Sequence, residues 1–548
     1  MAEPQSTPDR LLRRMSALEG LRQPYESEMR TCFDYTYPER SSGLEGGMVT
    51  GTNDARGKRA QIFDDTVKDA GRTLASSVIG GMTPANSIWF GMDAGGSEQD
   101  VEARWLSDAS QFLFDNIHSA NFDSSSFECA MDMVNGGGYF VQYIEEAPEG
   151  GYRFEQWPVG QCFISSTRSG GRVDTIYRRF TMTVEQCVSE WGVDAMSERT
   201  RELHATNKLD EPVDILWSIE PRQAVKAGGS AKLAKNKPFA SVKLEVGAKH
   251  VIVESGYDEF PCAVPRWMLI PGSHYASSPV SACLATVKTL NKIKELDLIN
   301  FEMSAYGMFK AKDDGVLNPF TTVIGPRRVV VVADMENFEP IQPGGNAQLS
   351  QFVAADMQAT IRKMMLADVL QPQDGPAMTA TEVHARMMLL RQQLGPIFGR
   401  LQAEWLRALI ERCFGIAYRA GALTQACGPI PQSLTNRIVN VHYSSPLARA
   451  QKLEEVVAID SWVTGLVQYA GATQDMSGLD EIDQTFVAEF KREALGVPSR
   501  AQRTEDQVAQ IRQQRMQAQQ AAQQQAQQQQ MQTAAGEAVA KQAATAQG

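Results

Sequence analysis

Pro279-Val-Ser-Ala-Cys-Leu-Ala-Thr-Val-Lys-Thr-Leu-Asn-Lys-Ile-Lys-Glu-Leu296 is the stretch whose reading decides the fold. Leu284, Val287, Leu290, Ile293 and Leu296 read as one side of a helix. The pattern predicts a helix from Pro279 to about Lys312, roughly 50 Å long at 1.5 Å per residue. A compact segment follows, with Pro319, Gly325-Pro326 and the strand-like run Arg328 to Ala333. A second helix is expected from Ala347 to Leu370, with Leu349, Val353, Met357, Ile361 and Met364/Met365 on one face. Beyond a loop from Gln371 to Ala377, a third is expected from Thr381 to Ala420, bearing Leu390, Leu394, Leu401, Trp405 and Leu409. Gly395-Pro396 predicts a kink, because proline lacks the donor and clashes with the preceding turn.

Towards the amino terminus the periodicities mix. Leu11, Met15, Leu18, Met29, Cys32 and Phe33 mark a helix from Pro8 to Tyr35, with Pro24 as an interruption. A helix over Ala60 to Val78 should stop at Gly80-Gly81, ahead of a strand from Ile88 to Met92. Helices are expected at Val101 to Ser119 and Ser124 to Asn135, then a break at Gly136-Gly137-Gly138 and a strand from Tyr139 to Ile144. Alternating runs at Arg172 to Phe180, Val213 to Ile219, Ala240 to Leu244 and His250 to Glu254 read as antiparallel strands. Lys226 to Lys237 reads as an exposed hairpin tip or insertion. After Glu505 the chain is dominated by Gln and Ala, a composition that suits either disorder or a helix within an assembly.

Composition narrows the function. The 548 residues are 43% hydrophobic and 22% charged, ordinary values for a folded soluble protein. No run approaches the roughly 20 apolar residues that cross a bilayer. The polar start with Arg10, Arg13 and Arg14 does not read as a secretory signal, which predicts synthesis in the cytosol. Eight scattered cysteines, none in Cys-x-x-Cys, read as small buried thiols rather than zinc ligands or a disulfide framework. The net charge of −12 argues against a tight grip on phosphates, though not against a conduit that DNA must pass through.

No catalytic pattern stands out. Gly228-Gly-Ser-Ala-Lys232 lacks the spacing of a phosphate-binding loop, and the six histidines are far apart in sequence. Asp64-Asp65 and Asp313-Asp314 could hold Mg²⁺ only with further ligands that the sequence does not supply nearby. No enzyme activity, metal or cofactor is expected. The alternatives are a helical virion or scaffold protein of another kind, and a DNA-processing metal enzyme.

Several segments, in order, resemble the head-to-tail connector, or portal, proteins of short-tailed bacteriophages. They are Leu74-Ala-Ser-Ser-Val-Ile-Gly-Gly-Met-Thr-Pro84 with Trp89-Phe90; Gly171-Arg-Val-Asp-Thr-Ile-Tyr-Arg178 with Met182-Thr183; and Glu259-Phe-Pro-Cys-Ala-Val-Pro-Arg-Trp267. Tyr275-Ala-Ser-Ser-Pro279 with Leu290-Asn291, Thr379-Ala-Thr-Glu-Val383 and Leu394-Gly-Pro-Ile-Phe-Gly-Arg-Leu401 follow. Tyr443-Ser-Ser-Pro-Leu-Ala-Arg-Ala-Gln451 and Gly496-Val-Pro498 complete the set. Ala276 departs from the glycine many relatives carry, and the Gln/Ala tail matches weakly.

The resemblance implies an α+β, mainly α, portal fold. It divides into a β-containing wing (1–275), a stem helix (276–312), a clip (313–346), a returning stem helix (347–370) and a tunnel loop (371–380). A long kinked helix with more wing and a helical crown or barrel (381–500) precedes the Gln/Ala-rich end (501–548). It also implies a ring of twelve subunits at one capsid vertex of the virion, assembled in the host bacterial cytoplasm. The implied partners are double-stranded DNA in the channel, a terminase, tail adaptor and tail proteins, capsid and scaffolding proteins, and internal core or ejection proteins, with no membrane. Lys288, Lys292 and Lys294 are then candidates to face DNA; alternatively they are solvated or paired with Glu295 and Asp297. Gln371, Gln373 and Asp374 are candidates for the narrowest point of the channel, and Arg327, Arg328, Asp334 and Glu336 for contacts to the terminase or the tail.

Overall fold

The computed structural model describes residues 7–41, 44, 52–93, 100–147, 149–222, 234–306, 308–311, 338–341, 347–370, 395–434, 440–443, 446–473, 482–495, 510–518 and 520. The chain forms two units: Met1–Trp89 with Leu113–Ala422, and Phe90–Phe112 with Leu423–Gly548.

The first unit is organised by a five-stranded antiparallel meander. Its strands, in spatial and chain order, are Cys162–Ser165, Thr175–Thr183, Pro212–Pro221, Phe239–Glu245 and His250–Tyr257. Successive residues face opposite ways, and both faces are covered. Phe163, Tyr177, Leu216, Val242 and Leu244 pack on Leu11, Met15 and Leu18 of the amino-terminal helix Thr7–Tyr35. Their neighbours Ile164, Ile176, Trp217 and Ile219 join Tyr143 and Trp157 on the other face. Burial on both sides requires dense β-branched and aromatic runs, which is why all four expected strands over 172–254 are found, each within a few residues of its predicted bounds.

The amino-terminal helix runs unbroken through Pro24, contrary to the expected interruption. One lost hydrogen bond and a ring clash cost about 3 kcal/mol. Packing on both sides of the proline outweighs that: Leu18 and Met29 are buried, and Arg22 is anchored between them. The Arg22 guanidinium donates to the Gly160 carbonyl at 2.6 Å and lies 3.8 Å over the Phe163 ring.

The stretch Glu259 to Trp267 ties the elements of this unit together. Cys262–Ala263 adds a short strand beside Val141–Glu146, which pairs on its other edge with Tyr152–Trp157. Pro261 and Pro265 have no donors, but their carbonyls accept from Ile144 and Phe140 at 2.9 and 3.4 Å. The Trp267 amide donates to the Gly138 carbonyl at 2.7 Å. Gly138 has φ +67°, and a Cβ there would lie 2.3 Å from the Ala276 carbonyl oxygen, so only glycine fits. Arg266 is buried in an ion pair with Glu404. Its Nε donates to Glu404 Oε2 at 3.0 Å and its Nη2 to the Gly171 carbonyl at 3.0 Å, while its own backbone amide also donates to Glu404 Oε2 at 3.1 Å.

Glu404 sits in a widened turn, Gln402–Leu406, leading into the helix Arg407–Arg419. That turn brings buried Trp405 to donate to Gln142 Oε1 at 2.9 Å. Further along, Glu259 accepts from Arg412 at 3.1 Å and also binds Arg419, and the Tyr152 hydroxyl donates to the Cys413 carbonyl at 3.0 Å. Among the described residues the departure from regular helix thus falls at 402–406, while 395–401, including Gly395-Pro396, is helical. Leu390 and Leu394 lie outside the described residues; Leu401, Trp405 and Leu409 are fully buried, as their spacing predicts.

Other boundaries move for local reasons. The second helix is Thr66–Met82, with Gly80-Gly81 inside it, and ends where the Thr83 hydroxyl donates to the Ile79 carbonyl ahead of Pro84. The next runs over Phe122–Asp132 and widens at Met133–Gly137, so the glycine break begins only at Gly138. Of the Lys226 to Lys237 segment, residues up to 233 lie outside the described set.

In the second unit, Phe90–Asp93 pairs antiparallel with Asn440–Tyr443, and Trp105 donates to the Gly428 carbonyl at 3.2 Å. It also contains the helices Pro446–Thr473 and Gln484–Leu495, and residues 510–518 of the Gln-rich end are helical.

Seven of the eight cysteines are buried, and Cys427 is partly exposed. Burial pushes the thiols of Cys32 and Cys162 up to about 12 and those of Cys187 and Cys283 up to about 11. Because the thiolate is the reactive form, one thiol per native chain should react rapidly with a disulfide reagent at pH 8, and eight after denaturation. Separately, Arg266→Met should lower stability by about 3–5 kcal/mol in urea unfolding, since it leaves the Glu404 carboxylate buried without its partner.

Candidate functional site

A long hairpin leaves the sheets at Tyr275-Ala276. Its first arm is the helix Pro279–Tyr306, about 42 Å at 1.5 Å per residue, shorter than expected because Met308–Ala311 is a strand. That strand pairs antiparallel with Phe338–Ile341, Met308 opposite Ile341 and Ala311 opposite Phe338. The second arm returns as Ala347–Met364, broken at Leu366 (φ +58°) before a short turn of helix, Ala367–Leu370.

The inner half of the hairpin is fastened to the sheets. Val280, Cys283, Val287 and Leu290 form a buried stripe on the first arm, and Ala354, Ile361 and Met365 one on the second. The non-helical segment from Gln61 to Asp65 crosses both arms as a strap. Asn291 donates to the Gln61 carbonyl at 2.9 Å and accepts from the Phe63 amide at 2.7 Å. Gln358 donates to Asp64 Oδ2 at 2.6 Å, while Asp64 Oδ1 accepts from the Thr66 amide at 2.9 Å. These bonds occupy the backbone that the sequence reading had placed in a helix starting at Ala60. They also give Asp64 a positioning task, away from any metal.

The outer half is different. Leu298 is 55% exposed, Phe301 71%, Leu349 61% and Phe352 73%, and Leu296, Ile299 and Met364 are also exposed. Three of these, Leu296, Leu349 and Met364, were expected within the buried stripes. The reason is rotational. A step of three residues turns about 300° and a step of four about 400°, so a stripe spaced only by threes or only by fours winds around the helix. On the first arm the exposed residues fall into two stripes on nearly opposite sides, Leu296 with Ile299 and Leu298 with Phe301.

Lys288 and Lys292 share a helix face and are exposed, and Lys292 forms an ion pair with Glu295 at 2.9 Å. Lys294 is half-buried and points elsewhere, two residues from Lys292 being about 200° around the axis. Asp297 accepts from Ser350 on the other arm. Gln371, Gln373, Asp374, Arg327, Arg328, Asp334, Glu336 and Asp313-Asp314 lie outside the described residues. Among the described residues no group of three His, Cys, Asp or Glu side chains could hold a metal. His118 has a structural environment: Nε2 accepts from Trp89 Nε1 at 3.0 Å, which leaves Nδ1 to donate to Asp123 at 2.9 Å. The exposed apolar stripes and the strap across the hairpin were missed by sequence reading; the stripes' signal, a drifting repeat, was present but was read as core.

A rigid body of sheets that carries a long hairpin with uncovered apolar flanks is a subunit built for a multi-copy assembly. Residues 8–502 match the family described as bacteriophage head to tail connecting proteins, and the chain belongs to that family. It is 29% identical over 528 residues to a probable portal protein of Bordetella phage BPP-1, covering 92% of this chain and 90% of that one. It is 26% identical over 528 residues to the portal protein of Salmonella phage epsilon15, covering 92% and 91%. A solved structure described as the neck of an empty GTA particle computed with C6 symmetry aligns with 77% of this chain and 90% of its own, at 12% identity and a TM-score of 0.33. That likeness is too loose to carry any argument about the arrangement of elements.

If the strap holds the hairpin, Asn291→Ala should cost about 1–3 kcal/mol by leaving two backbone groups without partners. Amide hydrogen exchange at Phe63 should quicken in the same variant.

Proposed function

We propose that this chain is the portal subunit of a bacteriophage, one of about twelve copies that close into a ring at a single capsid vertex and form the channel for the genome. The observation that carries this reading is the pair of apolar stripes on opposite sides of the outer hairpin. An isologous dimer uses one patch twice, whereas a subunit in a ring meets a neighbour on each flank. Exposed aromatic surface on this scale, as at Phe301 and Phe352, marks an interface. Covering each such side chain contributes roughly 1.5–3 kcal/mol per contact.

On this reading the function is geometric. Residues 1–275 form a wing, the two hairpin arms a stem, residues 313–346 the clip and 371–380 the tunnel loop, with the crown beyond. DNA moves past the walls, and a net charge of −12 keeps them from holding it. Exposed Lys288 and Lys292 repeated around the ring supply bands of weak attraction for phosphates, moderated by Glu295. Gln371, Gln373 and Asp374 serve sliding contact at the narrowest point. The clip residues Arg327, Arg328, Asp334 and Glu336 dock the terminase during packaging and tail adaptors afterwards; capsid, scaffolding and internal core proteins surround the wing and crown. Bond chemistry belongs to the terminase. The assembly resides in the virion and is put together in the host cytoplasm. Among the described residues no helix is long and apolar enough to cross a membrane.

Electron microscopy of the purified chain should show closed rings with an axial hole; elongated oligomers or open fibres would refute the reading. Phe301→Asp should shift the chain from rings towards monomers without lowering its melting temperature. Replacing Lys288 and Lys292 together by Glu should leave rings intact and reduce DNA packaged per particle.

A further inference from the structure

The five-stranded sheet has oppositely charged ends. At the Thr175 and Pro221 end, Arg10, Arg13, Arg14 and Ala17 present one face of the amino-terminal helix across a groove of about 780 Å³, closed on its far side by Arg222. Glu220 is the acid in its lining, and it is already engaged by Arg10 at 2.7 Å and by the Tyr177 hydroxyl at 2.8 Å. Arginine excess therefore faces the open side, in a chain whose net charge is −12.

The Thr183 and Pro212 end, about 30 Å away along a ten-residue strand, carries the opposite sign. The lobe from Val184 to Glu211 holds seven carboxylates against Arg199, Arg201 and Lys208. Glu185, Asp194, Glu198, Glu202, Asp210 and Glu211 are exposed. Its backbone is firmly set. Val184, Cys187 and Met196 pack on Val213, Ile215 and Ile252 of the sheet. Buried Glu245 accepts from the Ser197 and Thr200 hydroxyls at 2.8 and 2.7 Å, fixing the start of the helix Glu198–Ala205. Glu198 and Glu202, four apart on that helix, match the spacing of Arg10 and Arg14 on the other.

We propose that the acidic lobe of one copy docks in the arginine groove of the next copy around the ring. Two complementary patches at opposite ends of one rigid sheet cannot satisfy each other within a chain. Between copies they make a head-to-tail contact, which repeats until the ring closes. The contact rests on the ring reading above and adds its polarity: which face of each wing meets which face of its neighbour. Long-range attraction between the patches would also orient subunits before their apolar stripes meet.

Charge exchange in the full-length chain tests this by electron microscopy and sedimentation at low salt. Arg13→Glu with Arg14→Glu, and separately Glu198→Arg with Glu202→Arg, should each raise the protein concentration needed for rings by about tenfold or more. All four substitutions in one chain should restore rings. Because the four side chains are exposed, circular dichroism and melting temperature should stay near the wild-type values, which separates lost docking from lost folding. Rings unaffected by either pair would overturn the contact and leave the ring reading intact. Failure of the four-fold variant to recover what each pair loses would also overturn it. So would rings that persist in Arg13→Glu/Arg14→Glu while its binding to duplex DNA falls, since the groove would then serve nucleic acid. A wild-type chain that forms no rings at any concentration would sink the ring reading and the contact together.

Discussion

Arg266 and Glu404 stand 138 residues apart, and four parts of the first unit meet where they pair. The guanidinium belongs to the short strand segment, the carboxylate to the widened turn of the 395–419 helix. Gly171, just ahead of the five-stranded meander, accepts from Nη2. His274, just ahead of the hairpin, accepts through its carbonyl from Nη1 at 3.5 Å. Burying two charges costs several kcal/mol each, and their attraction offsets this only when the remaining donors are also satisfied. Here they are, so the pair acts less as a source of net stability than as a fixed reference point. Any other alignment of these four parts would leave a buried charge without a partner.

From that point the functional parts inherit their positions. The hairpin departs within a few residues of Arg266, and its first turns are clamped by Gly138 against the Ala276 carbonyl and by Asn291 against the strap. A lever held firmly at its base can present its outer half at a defined angle. The same logic serves the charged ends of the meander, whose separation is set by strand length and whose lobe is locked through Glu245. Rigidity at the level of one subunit is what a closed ring requires, because a small angular error at one junction is repeated at every other.

Much of this was legible from the residues in order. Strands buried on both faces leave dense apolar runs, so the meander could be read almost strand for strand. The change of character at Pro279 marks the hairpin, and its return is visible from Leu349 onwards. The errors have a common physical origin. Pro24 does not interrupt its helix, and Ala60 to Asp65 is not helical, because contacts from Gly160, Asn291 and Gln358 decide those segments. Leu296, Leu349 and Met364 look like core because a helical repeat records that a side chain is apolar, not which surface will cover it. The lysines were identifiable as candidates, but that Lys292 pairs with Glu295, and that Lys294 leaves the shared face, took coordinates to see.

The sequence by itself determined the family, the mixed α+β class, the order of the main elements and the absence of a recognisable catalytic motif. Each of these depends on short-range patterns: periodicity, turn residues and motif spacing. Tertiary structure alone decided the rest. Arg266 with Glu404, the strap over the hairpin, the uncovered stripes at Phe301 and Phe352 and the opposed charges of the sheet all join residues tens to hundreds of positions apart. No local pattern encodes such pairings, because burial and partnership come into being only when distant segments are brought to the same place.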